Sequence, residues 1–89
     1  MAPVPTISVF YGIVVAMFFD EHPPPHFHAR YAESKARVEI ATGEIIDGEL
    51  PRRAARLVRE WTALHRDELE ENWRLAREKR PLGRVTPLP

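Results

Sequence analysis

Cysteine is absent from the 89 residues, which removes disulfide frameworks, thiolate zinc sites and cysteine nucleophiles together. Long apolar runs are missing too. The longest, from Ile13 to Phe19, falls far short of the roughly 20 residues needed to span a bilayer. No basic stretch with a small-residue cleavage site precedes it, so a soluble cytoplasmic protein is the expectation. An excess charge of either sign is also lacking: thirteen Lys plus Arg balance thirteen Asp plus Glu, which argues against a protein that coats nucleic acid by bulk charge. Phosphate loops of the G-x-x-x-x-G-K-[ST] type, G-x-G-x-x-G turns, H-E-x-x-H helices and G-x-S-x-G elbows do not occur either.

The sequence does contain enough for one small core, with 44% hydrophobic residues, two Trp, four Phe and two Tyr. Its length fits a single domain over residues 1–89, only modestly stable alone. The zero net charge hides an asymmetry: residues 1–50 carry three basic and seven acidic side chains, and residues 51–89 carry ten and six. An acidic half and a basic half favour an oriented encounter with a partner. A small cognate protein is the expected partner, ahead of a homodimer or of RNA or DNA contact, and no membrane is implied.

The first half reads as strands, about 6–48. Ile7 to Phe10 and Ile13 to Phe19 are rich in β-branched and aromatic residues around Gly12. His26 to Ala32 and Lys35 to Ala41 alternate, with Phe27, Ala29, Tyr31, Ala36, Val38 and Ile40 on the inner side. A turn centred on Glu33-Ser34 would pair Tyr31 with Ala36, Ala29 with Val38 and Phe27 with Ile40. It would also set His28 opposite Glu39 and Arg30 opposite Arg37. Thr42-Gly43 predicts a second turn into a short strand, Glu44 to Asp47, which Gly48 ends.

From Pro51 to about residue 80 the period is helical. Ala54, Leu57, Val58, Trp61 and Leu64 form one stripe. Leu69, Trp73 and Ala76 sit roughly 100° from it around the wheel, so a break near His65-Arg66-Asp67 is required, with Asp67 and Glu70 at capping-box spacing. Pro81 and Gly83 end the second helix and leave a short tail, 81–89. The expected fold is α+β: a small antiparallel sheet of three to five strands followed by two C-terminal helices packed on one face, with both tryptophans in the core.

Three histidines fall within the segment Asp20-Glu21-His22-Pro-Pro-Pro-His26-Phe-His28. His26 and His28, two apart on a strand, project together. With His22 returned by the proline turn, three imidazoles form a reasonable set for a divalent metal such as zinc, with Asp20 or Glu21 in support. Alternatively, His26 and His28 serve as acid and base of a small RNA-cleaving enzyme, with Glu39 orienting His28 and a phosphate bridging Arg30 and Arg37. Arg52 and Arg56 on the first helix are further anion contacts, although the acidic start of the second helix disfavours a DNA-reading role.

Several segments carry a family resemblance: Pro-Thr-Ile-Ser at 5–8, Phe10-Tyr11-Gly12-Ile13-Val14, Pro-Pro-His-Phe-His-Ala at 24–29, Lys35-Ala-Arg37, Thr42-Gly43-Glu44, Leu50-Pro51-Arg52-Arg53-Ala54 and Leu64-His65-Arg66-Asp67-Glu68-Leu69 with Asn72-Trp73. Together these resemble a small bacterial family catalogued as domain of unknown function 4160. The resemblance implies no established activity. It does imply membership, through gene context, of toxin-antitoxin-like or regulatory pairs that act by protein binding. Pro23 stands where the family often has a polar residue, and Ala16 where a basic one is frequent.

Overall fold

The computed structural model describes residues 5–89. Five strands, β1 (Thr6–Phe10), β2 (Ile13–Ala16), β3 (His26–Tyr31), β4 (Ser34–Glu39) and β5 (Ile45–Gly48), form one antiparallel sheet in chain order, followed by α1 (Arg52–Leu64) and α2 (Arg66–Arg77). The expected α+β arrangement is the observed one. Tyr11 and Gly12, both at positive φ (51° and 80°), make the two-residue turn whose twist matches the flanking strands.

The β3–β4 turn sits one residue earlier than expected, at Ala32-Glu33, with Ala32 at φ 52°. Tyr31 therefore faces Ser34, Ala29 faces Ala36 and Phe27 faces Val38. The slip is two residues in register, an even number, so every side chain keeps its face and the apolar pattern could not distinguish the two pairings. The polar partners do change: His26 faces Glu39, His28 faces Arg37 and Arg30 faces Lys35.

The run from Ile13 leaves the sheet after Ala16, three residues before its expected end. Met17 stays buried, while Phe18 and Phe19 are exposed. The last strand keeps Gly48 within it. Gly48 lies at φ 77°, and a Cβ there would fall 2.3 Å from the Lys35 carbonyl oxygen, so only glycine fits opposite Ala36.

One sheet side carries the core: Ile13, Val15, Phe27, Val38 and Ile40 cluster with Ala54, Val58, Trp61, Leu69, Trp73 and Ala76. Trp61 lies 5.2 Å from Phe10 and 5.6 Å from Phe27, centroid to centroid. Leu64, expected in the first stripe, is exposed; Thr62 is buried instead and its hydroxyl donates to the Val58 carbonyl at 2.7 Å. The helical break falls at His65, which ends α1 and precedes α2. Asp67 lies inside the first turn rather than at the cap. The observed side-chain pair is His65 Nδ1 with Glu68 Oε1, three residues apart at 2.7 Å.

The tail is part of the fold. Val85 donates its N–H to the Ile7 carbonyl at 2.8 Å, and the Trp61 indole N–H donates to the Thr86 carbonyl at 2.9 Å. Asn72 exchanges two bonds of 2.8 Å with the Gly83 backbone. No described helix is long and apolar enough to cross a membrane.

Candidate metal centre

The connection from β2 to β3 is tied down at three points. Met17 N–H donates to Pro5, Asp20 N–H to the Ala76 carbonyl on α2, and Ile40 N–H to Pro25. This path brings Glu21 back over the start of β3. There His26 and His28 share a side of the strand by parity, and their rings lie 5.4 Å apart. One ligand atom from each of Glu21, His26 and His28 falls within 4.8 Å of the others.

His26 is the most constrained of the three. It is 1% exposed and packs 5.2 Å from Trp73 on α2. Its Nδ1 lies 2.8 Å from the Pro24 carbonyl oxygen. A carbonyl only accepts, so Nδ1 carries the proton, and in the neutral ring Nε2 presents a lone pair. That Nε2 is buried, with no hydrogen-bond partner among the described residues. Glu21 Oε1 is 3.2 Å away, within ion-pair distance but off hydrogen-bond geometry. The same oxygen accepts from His28 Nε2 at 2.7 Å. A lone pair facing a carboxylate oxygen is unfavourable unless a proton or a cation lies between them. A backbone carbonyl behind Nδ1 is also the usual support for an imidazole that binds metal through Nε2.

Of the expected three histidines the structure brings together His26 and His28, and it sets Glu21 beside them in place of His22. His22 is exposed and lies outside the cluster. Nothing in the spacing separates Glu21 from His22, because the path of the loop decides which neighbour turns inward. Glu39 does not orient His28; it faces His26 across the ladder and accepts from Thr42 Oγ1 at 2.9 Å. Glu21 takes the orienting role.

Arg30 and Arg37 are not cross-strand partners. Arg37 meets Asp47 at 3.3 Å. Arg30 stands opposite Lys35, and among the described residues neither has an ion-pair partner. Arg52 and Arg56 lie elsewhere, with Arg53 and Arg59 in a groove of about 670 Å³ between α1 and the turn at Gly43-Glu44. Arg59 pairs there with Glu44 at 3.2 Å. An aromatic contact that the spacing did not disclose is that of Phe18, whose ring meets His28 edge-on at 4.6 Å and 83°.

The family model described as "Domain of unknown function (DUF4160)" matches residues 12–74, a span that includes Glu21, His26 and His28. No curated protein matches the chain, and no solved structure does.

Proposed function

The chain belongs to the DUF4160 family, and we propose that it holds a divalent transition metal such as zinc through His26 Nε2, His28 Nε2 and a Glu21 carboxylate oxygen. The observation that carries this reading is the buried, unpartnered Nε2 of His26, aimed at a carboxylate while Nδ1 is occupied by Pro24. Donors at these separations need only side-chain torsions to close on an ion at about 2.0–2.2 Å. Two imidazoles and one carboxylate suit zinc or ferrous iron and leave a coordination position open, as in catalytic rather than structural sites. A metal held so would lower the pKa of a bound water or polarise an anionic ligand.

Metal titration of protein purified without a polyhistidine tag tests the proposal. About one equivalent per chain is expected, with Glu21→Gln and His28→Gln each weakening zinc by at least about tenfold. Both side chains are only partly buried, so these variants are expected to fold, which circular dichroism checks. Stoichiometry below about a tenth, or variants that bind like the parent, would contradict it.

Protein binding within a toxin-antitoxin-like or regulatory pair is the second reading. The arginine groove on α1 favours it, because Arg52, Arg53 and Arg56 complement an acidic segment of a small partner. The charge-reversed pair Arg52→Glu and Arg56→Glu should then abolish binding of a small acidic partner protein. Cleavage of RNA by His26 as acid or base draws less support, since a side chain 1% exposed has no route to a substrate.

A further inference from the structure

The uncovered side of the sheet has a pocket of about 290 Å³ beside the metal centre, lined by Val14, Ala16, Phe18, His28, Arg30 and Lys35. Its cations are unusual in one respect. Arg30 and Lys35 are direct partners in the β3–β4 ladder, where like charges destabilise the pair. No described carboxylate pairs with either. An anion between them removes the repulsion, and guanidinium plus ammonium is a phosphate-binding combination.

The rest of the pocket is apolar. Val14 and Ala16 line it, and Phe18, a residue 36% exposed, offers a stacking surface for a flat aromatic group. His28 belongs both to this pocket and to the metal-binding set, so a ligand held here lies against one of the proposed metal ligands. The volume is at the lower limit of small-molecule sites, enough for one nucleotide. A second concavity, lined by His28, Lys35, Arg37 and Asp47 among others, continues along the sheet and offers a path for a longer strand.

We infer that this pocket binds a nucleotide unit, free or within a single-stranded chain, with its phosphate held by Arg30 and Lys35 next to the metal and its base stacked on Phe18. The inference deepens the metal reading and rests on it for the third phosphate contact.

Calorimetric titration of zinc-loaded and metal-free protein with 5′-AMP, ribose 5-phosphate and a single-stranded RNA tetramer is the test. The expected result is 5′-AMP binding to the zinc-loaded protein at least about tenfold more tightly than ribose 5-phosphate, a preference that Phe18→Ser removes. The double variant Arg30→Ser, Lys35→Ser should lose at least about tenfold in 5′-AMP affinity with zinc affinity unchanged. A tetramer that binds more tightly than 5′-AMP identifies a chain as the ligand, and equal affinity identifies a free nucleotide; both support the pocket. Zinc bound normally while 5′-AMP and the tetramer bind to neither protein, or bind the double variant as tightly as the parent, would overturn the inference. Failure of zinc to bind overturns the metal reading alone, because metal-free protein compared with the double variant still decides the phosphate pocket.

Discussion

On the helix-covered side of the sheet, Phe27, Val38 and Ile40 close against Trp61 and Val58 in one core; one residue along the same strands, His28 and Arg37 face each other on the open side. The covered side needs only apolar area removed from water, which is non-directional and forgiving of detail. Its polar members are few, and of these Thr62 and Asn72 have hydrogen bonds while Ser8 Oγ has none among the described residues. The open side violates local preferences instead, with Arg30 across from Lys35 and Phe18 exposed. His26 stands at the boundary: it has the parity of the open side, yet Trp73 seals it. Departures from local consistency concentrate where ligands act, so the covered side explains why the chain folds and the open side is where the proposed ligands would act.

Breaking the covered side should cost most. Trp61→Ala removes a fully buried ring and its bond to Thr86 and is expected to cost about 3–5 kcal/mol in urea unfolding. A cost below about 1 kcal/mol would erase the distinction between the two sides. Gly48→Ala comes next. Its Cβ meets the Lys35 carbonyl at a backbone angle that favours glycine, and a loss of about 1–3 kcal/mol is expected from the same measurement.

Lys35→Glu probes the open side with the opposite sign. It turns a like-charged ladder pair into an attractive one and should stabilise the fold by about 0.2–1 kcal/mol while 5′-AMP binding is lost. A residue that costs stability and whose replacement costs only ligand is what the comparison requires; destabilisation by Lys35→Glu would count against it. The smallest effect belongs to α2. A hydrogen bond from Arg74 holds the Glu71 carboxyl below the usual carboxylate range. A lowered folded-state pKa contributes stability at neutral pH that is lost as pH falls through and below that range. Glu71→Gln should flatten this limb of the stability–pH curve only slightly, because the pair is fully exposed.

Much of this was legible in the sequence, for identifiable reasons. Alternation fixed which of Phe27 to Tyr31 point inward, and the angular offset between Trp61 and Trp73 placed a helical break near His65-Arg66-Asp67, where it falls at His65. Register was not legible, because a slip of two preserves alternation and only the positive φ of Ala32 selects the shorter turn. The cap differed because His65, rather than Asp67, stands at the N-terminal boundary of α2, where it pairs with Glu68. The tail has no periodicity to read; its anchors are Asn72 and Trp61, far upstream in the chain. At the site, His26-x-His28 announced itself by spacing. Glu21 did not, since its position depends on a loop held by the Asp20–Ala76 bond.

The central claim is that His26 and His28 share one metal through Nε2. Long-range proton–nitrogen correlation NMR on histidine-labelled, tag-free protein during zinc addition tests it most directly. The account predicts His26 in the Nδ1–H form, with the Nε2 signals of His26 and His28 moving together and saturating at about one equivalent. Movement of His22 in their place, or titration of His28 while His26 Nε2 stays fixed, would contradict it.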